Sequence, residues 1–306
     1  MAERYPIEQS GLYRLTSVGR LAAILGVTRD LLREIRGAPD SYRVWNQAQA
    51  NGKTRTIEAP RGQMKLLHER LAQILSRTVL PDYLHSGRKG HSYLSNAGAH
   101  RDSECLIGLD ISKFYHSTTR SALYHGFLRE FKCGPTVAAL IADVFTYEGH
   151  VPTGSSASML LAYFAHKDRF DRVARMASAR NLIFTLYVDD ITISGDHVSV
   201  REKLDIDRIF EGTGLRLHKY KRYTAQQPKA VTGSILKNGK TYLPNRRHLR
   251  IHMNMEKLRE ALPAHERSDL IRKIRGQLVE AANVEPDLGE KRDSFQRFAR
   301  RMNRTE

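Results

Sequence analysis

The sequence predicts an α+β fold, on three observations. Apolar residues recur at three- and four-residue spacing near both ends of the chain, short β-rich apolar runs stand at 105–111 and 182–193, and longer helical stretches lie between those runs. With 306 residues and 41% hydrophobic content, the chain can bury a sizeable core, divided into two or three packed lobes.

In chain order, Leu21, Ile24 and Leu25, then Leu31, Leu32 and Ile35, give two short helices with Thr28 as an N-cap between them, ended by Gly37 and Pro39. Residues 42–45 and 54–57 read as strands joined around Asn51-Gly52. Pro60 and Gly62 then lead into a helix with Leu66, Leu67, Leu71, Ile74 and Leu75 on one face. Residues 81–100, rich in Gly, His and Ser, read as a surface loop that contacts a ligand. The strand at 105–111 is followed by helices near 119–131 and 137–145, a Gly and Ser turn at 153–156, a helix at 158–177 and an apolar hairpin at 182–193. Beyond Thr241 the chain is basic and helical, with Leu258, Leu262, Leu270, Ile271, Ile274, Leu278 and Phe298 as its core positions. The expected division is therefore 1–105, 106–239 and 240–306.

The formal net charge is +17. Lys and Arg in such excess match phosphates and release their counterions, so nucleic acid is the expected partner; a surface charged only for solubility is the plainer alternative. No apolar stretch reaches the ~20 residues of a membrane span, and the first ten residues lack the pattern of a secretory signal. The expected location is the cytoplasm, with no membrane partner. Two cysteines, Cys105 and Cys133, are too few for a disulfide framework and read as small core residues.

Chemistry concentrates in Tyr187-Val188-Asp189-Asp190, two acids at the tip of an apolar hairpin. Adjacent carboxylates between buried strands repel one another, and a cation relieves that repulsion. An Asp-rich turn is the alternative for the tetrapeptide alone. A third acid, Asp110, ends the run Leu106-Ile107-Gly108-Leu109. If the two strands are sheet neighbours, Asp110 and Asp189 can hold two Mg²⁺ ions about 3.5–4 Å apart, the arrangement used in phosphoryl transfer. No zinc site is implied: His85, His91 and His100 lack helical metal-ligand spacing.

These segments, in this order, resemble the palm of reverse transcriptases. The resemblance implies an RNA-directed DNA polymerase shaped as a right hand, with fingers in 1–105, an antiparallel palm in 106–239 and a small basic helical thumb in 240–306. It places two Mg²⁺ ions, with Mn²⁺ as a substitute, on Asp110, Ile111, Asp189 and Asp190. In Leu109-Asp110-Ile111-Ser112-Lys113-Phe114-Tyr115, the tyrosine matches the aromatic gate that excludes a ribonucleotide 2′-hydroxyl; a core tyrosine is the other reading. Val151-Pro152-Thr153-Gly154-Ser155-Ser156-Ala157-Ser158 resembles the turn under the incoming deoxynucleoside triphosphate, with Thr153 where many relatives carry Gln and Met159 where Pro is usual. Gly214-Leu215-Arg216-Leu217-His218-Lys219-Tyr220-Lys221 resembles the block whose lysine, here Lys221, protonates the leaving pyrophosphate. Lys53, Arg55 and Lys65 resemble the basic residues that meet the triphosphate.

Two further elements resemble the retron branch: Asn96-Ala97-Gly98-Ala99-His100 matches its Asn-Ala-x-x-His motif and Val231-Thr232-Gly233 its Val-Thr-Gly motif. The stretch 161–172, with His166-Lys167 and Phe170-Asp171, resembles a helix of one retron subgroup. This implies a polymerase that binds its own structured noncoding RNA, primes from a guanosine 2′-hydroxyl and makes multicopy single-stranded DNA (msDNA) in an antiphage defence system with a separately encoded effector. RNA contacts would come from Asn96, His100, Val231, Thr232, Gly233, Arg246, Arg247, Arg300 and Arg301, although Asn96 and His100 could equally brace the loop. The C-terminal arginines, Arg304 included, could also form a solvated helix face. A group II intron-like or protein-primed polymerase, or a noncatalytic RNA-binding scaffold, are the competing readings.

Overall fold

Local capping sets the first helix starts. The Ser17 hydroxyl accepts the Arg20 N–H at the head of α1 (Val18–Leu25), and Thr28 accepts the Leu31 N–H at the head of α2 (Arg29–Glu34). The computed structural model describes residues 4–302 apart from Gly37, Ala50, Asn51 and Ala261. The expected roles of Gly37, Asn51 and Arg304, and the side chain of Arg301, fall outside those residues.

A two-stranded ribbon follows, β1 (Tyr42–Ala48) paired antiparallel with β2 (Thr54–Pro60). The helix α3 (Gly62–Ser76) buries Met64, Leu67, His68, Leu71, Ile74 and Leu75. Leu66, expected on that face, is instead 57% exposed, because Met64 and His68 complete the apolar stripe.

Residues 81–100 depart most from expectation. They contain a short helix, α4 (Tyr93–Gly98), begun by a Ser92–Ser95 capping box. Before it, the chain lies along a strand edge, with the Leu186 N–H donating to the Tyr83 carbonyl at 2.7 Å and the His85 N–H to the Leu186 carbonyl at 2.9 Å. The segment is structural support, not a free surface loop.

Next come β3 (Cys105–Ile111), α5 (Phe114–Ser117), α6 (Arg120–Glu130), α7 (Pro135–Val144), α8 (Ser158–Ser178), β4 (Ile183–Tyr187), β5 (Asp190–Gly195), α9 (Val200–Phe210) and β6 (Leu217–Tyr223). The strands form one antiparallel sheet in the order β4-β5-β3-β6. Helix α6 crosses α8 closely: a Cβ on Gly126 would lie 2.6 Å from the Ala165 Cα. One continuous core runs from Leu12 to Leu215 and spans the N-terminal helices and this sheet.

The chain then forms a meander of β7 (Lys229–Val231), β8 (Ser234–Lys237) and β9 (Lys240–Tyr242). Three helices end the described chain: α10 (Asn245–Lys257), α11 (Ala264–Val284) and α12 (Gly289–Met302). They hold a separate core of Leu243, Ile251, Leu270, Ile274, Leu278 and Phe295, among others. Phe298, expected inside, is 43% exposed, one helical step off the face that Phe295 and Ala299 bury. Among the described residues, no helix is long and apolar enough to cross a membrane.

Candidate active site

The register of β3 against β5 puts Asp110 directly opposite Asp190. The Ile111 N–H donates to the Asp189 carbonyl at 2.9 Å, which fixes the hairpin tip against the end of β3. The tip is sharp: Val188 takes φ of 57°, unusual for a β-branched residue. Its N–H donates to the Ser86 hydroxyl at 2.9 Å, so the 83–86 edge segment holds the turn in place.

Burial raises Asp190 to about 6, with Asp189 and then Asp110 adding repulsion; burial and Asp110 also push Asp189 upward. A fold that gathers such acids is completed by a cation. Lys219 partly serves: its ammonium lies 2.9 Å from Asp110 Oδ2. That contact arises from a local irregularity, because the β3–β6 register shifts between Gly108 and Asp110 and Lys219 takes φ of 53°. His218 adds a contact through Nδ1, at 2.9 Å from the Asp110 carbonyl and 3.1 Å from Oδ1. Hard oxygen donors in need of positive charge suit a divalent ion of the magnesium class, but with Asp110 turned toward Lys219 and His218 the three carboxylates do not bring their oxygens within 4.8 Å of one another.

Lys219 is a neighbour of the carboxylates that motif position missed, because its contact depends on the register shift and not on spacing along the chain. Lys221, chosen by position, pairs in the sheet with Gly108 and lines the same cleft of about 460 Å³. Asp110, Asp190, Thr232, Gly233 and Arg246 also line it, which brings the Val-Thr-Gly segment to the carboxylates. Tyr115, half-buried beside them, has its hydroxyl pushed up to about 12 by burial and then by Asp189. Arg55, exposed on β2, is close enough to lower both Tyr115 and Asp189 electrostatically. Lys65 points elsewhere, to Glu69 at 3.8 Å on its own helix.

Two expected ligand contacts are used inside the protein. Thr153 Oγ1 donates to the Thr56 carbonyl and accepts the Glu58 N–H, and its own N–H donates to Glu58 Oε2. The Gly154 N–H donates to the Glu58 carbonyl, and a Cβ on Gly154 would meet that carbonyl oxygen at 2.9 Å. Both residues dock the turn onto β2, and the Thr153 hydroxyl is engaged inside the protein by this docking.

Asn96 and His100 are likewise internal, each 0% exposed. His100 bridges the hydroxyls of Ser194 at 2.6 Å and Thr185 at 2.7 Å. The Asn96 amide donates to Thr232 Oγ1 at 3.4 Å, and Thr232 Oγ1 donates to the Tyr93 carbonyl at 3.0 Å. Direct RNA contact by these two side chains gives way to bracing, because the two motifs meet each other behind the cleft. Val231 is also largely buried, though it lines the cleft together with Thr232 and Gly233. Arg247 is held by Glu280 at 2.7 Å and lies over the Tyr93 ring; Arg300 shares a pocket with Arg272 and Arg275.

No protein-family model matches the chain. It is 26% identical over 290 residues to the Retron Se72 reverse transcriptase of Salmonella heidelberg (strain 579083-10), an alignment covering 88% of this chain and 76% of that protein. It is 29% identical to the Retron Mx65 reverse transcriptase of Myxococcus xanthus, over 60% of this chain and 48% of that protein. The Retron Ec86 reverse transcriptase of Escherichia coli is 24% identical, over 61% of this chain and 60% of that protein. The chain is similar to retron reverse transcriptases over much of its length. The chain spans roughly half to three quarters of the length of these relatives. A solved foamy viral protease-reverse transcriptase in complex with double-stranded DNA is similar at a TM-score of 0.49 and 14% identity, over 96% of this chain and 45% of that one. The α+β reading rests on the strand order and register above.

Proposed function

We propose that this chain is a reverse transcriptase, an RNA-directed DNA polymerase of the retron type, that copies part of its own structured noncoding RNA into msDNA, priming from a guanosine 2′-hydroxyl, within an antiphage defence system whose effector is a separate protein. The observation that carries the catalytic part is the β3–β5 register, which opposes Asp110 to Asp190 and ties Asp189 to Ile111. Asp110, Asp189, Asp190 and the Ile111 carbonyl would hold two Mg²⁺ ions, with Mn²⁺ as a substitute, and the bound metal would neutralise charge on the attacking and leaving oxygens of phosphoryl transfer. Lys221 lines the cleft as proton donor to pyrophosphate, and Arg55 approaches the triphosphate from β2. Tyr115 closes the floor where a 2′-hydroxyl would sit. Thr153 and Gly154 act indirectly, by fixing β2 and hence Arg55 against that floor. Thr232, Gly233 and Arg246 meet the RNA at the cleft, while Arg247, Arg300 and Arg301 belong to the basic thumb behind it. The fingers, palm and thumb correspond to 1–105, 106–239 and 240–306, and the protein works in the cytoplasm.

Asp189→Asn or Asp190→Asn lowers DNA synthesis by about a hundredfold or more, the size of losing several kcal/mol of charge stabilisation, with RNA binding retained. Retained synthesis would sink the catalytic assignment. Expression with the native upstream DNA, followed by RNase and debranching treatment of extracted nucleic acid, tests the retron part. A discrete DNA that shifts after both treatments supports it; primer extension without any such branched product overturns it while leaving the polymerase.

A further inference from the structure

Away from the palm carboxylates, three residues far apart in sequence converge where the two-stranded ribbon meets the sheet-bearing lobe. Glu58 on β2, His116 on α5 and His150 in the turn before the Thr153–Gly154 docking site present ligand atoms that all lie within 4.8 Å of one another. His150 Nε2 is 3.0 Å from Glu58 Oε1 and 3.1 Å from Oε2, and His116 Nε2 is 3.4 Å from Oε1. The two imidazoles stack with centroids 4.5 Å apart. Ligands around a tetrahedral zinc at ~2.0–2.2 Å stand about 3.3 Å from each other, so the two histidine–carboxylate separations nearly match.

The surroundings favour a metal over a chance cluster. Glu58 is buried, with the Thr153 N–H on Oε2 at 3.2 Å. His150 sits on a tight turn closed by reciprocal Tyr147–His150 backbone bonds, with Glu148 and Gly149 at φ of 48° and 79°. Its Nδ1 lies 3.3 Å from the Glu148 carbonyl, the outer hydrogen bond that metal-bound histidines use to fix their tautomer. With the proton on Nδ1, Nε2 turns a lone pair toward a carboxylate, two acceptors that only a cation or a second proton reconciles. His116 is 37% exposed, which leaves a fourth position open to water.

We propose that Glu58, His116 and His150 form a second divalent-metal site, of the zinc class, that pins β2 to the segment after Tyr115 and to the Thr153 turn. This role is structural and independent of the catalytic reading. The full chain, kept in excess Mg²⁺ to saturate the palm, is titrated with Co²⁺. One equivalent should bind with the intense visible absorption of a four-coordinate ion, be displaced by Zn²⁺, persist in Asp189→Asn and be lost in His116→Ala and His150→Ala. Zn²⁺ at a hundredfold excess over its Kd should raise the Tm of the parent by about 4 °C or more and leave both histidine variants unmoved. Absence of Co²⁺ binding would leave the cluster a proton-sharing pair and overturn the site. So would a signal that survives both histidine variants, or one that disappears in Asp189→Asn.

Discussion

Two lysines two residues apart face one set of acids, and their geometry gives them different work. Lys219 touches Asp110 and is exposed enough that the pair is worth no more than ~1 kcal/mol. It competes with a metal for that carboxylate, so Lys219→Ala should lower the Mg²⁺ concentration for half-maximal synthesis by about two- to fivefold. Lys221→Ala should lower kcat by roughly a hundredfold, the scale of a lost general acid, without changing the Mg²⁺ requirement. Metal titrations of the two variants decide the matter, and equal behaviour would remove the distinction. Buried histidines set a second residue-scale property. Burial pulls His68 and His100 down to about 3 and His85 and His166 down to about 4. The unfolded chain takes up their protons near the ordinary imidazole value of ~6.5, the folded chain only below about 4. Stability from these groups is thus present above pH ~6.5 and lost as pH falls toward 4. Thermal melts across that range should show a falling Tm; a flat profile would mean the imidazoles are solvated. The three acids were legible in the sequence because each ends or begins an apolar run. Lys219 was not, since its contact depends on a register shift that no spacing records.

At the scale of elements, strands with strong apolar runs matched expectation closely: β3 occupies 105–111 as read, and the β4–β5 hairpin turns at Val188-Asp189. Elements built from polar residues were hidden. Helix α4 and the 83–86 edge lie in a Gly-, His- and Ser-rich tract whose order comes from a capping box and from hydrogen bonds to β4, not from periodicity. The meander was overlooked although Asn238-Gly239, a strong hairpin signal, joins β8 to β9. This hidden layer is what carries the hairpin, and it reassigns the Asn-Ala-x-x-His element. His100→Ala leaves the Thr185 and Ser194 hydroxyls to find other partners beneath β4 and β5, at a cost of about 1–3 kcal/mol. The Tm of the RNA-free protein should fall accordingly. A variant with unchanged Tm and weakened RNA binding would return His100 to the RNA interface.

For the whole molecule, the decisive feature is the separation of cores. The ribbon and the carboxylate sheet share one, whereas the final helices have their own and meet the rest at α4, where Tyr93 and Leu94 pack against that core, the Tyr93 hydroxyl donates to Glu280 and Arg247 lies over the Tyr93 ring. A lobe attached this way, carrying Arg272, Arg275 and Arg300 around one pocket, is suited to holding a phosphate backbone without taking part in chemistry. Its contribution should be sequence-independent. Arg275→Ala and Arg300→Ala should each weaken binding to RNA duplexes of unrelated sequence by a similar factor and reduce the slope of log K against log salt by roughly 1. Arg246→Ala, at the cleft beside Asp190, should instead depress synthesis more than binding. Anisotropy titrations over a range of salt concentrations separate these effects. An unchanged slope in the Arg275 and Arg300 variants would make that face a solvated one and move the duplex grip to the cleft itself.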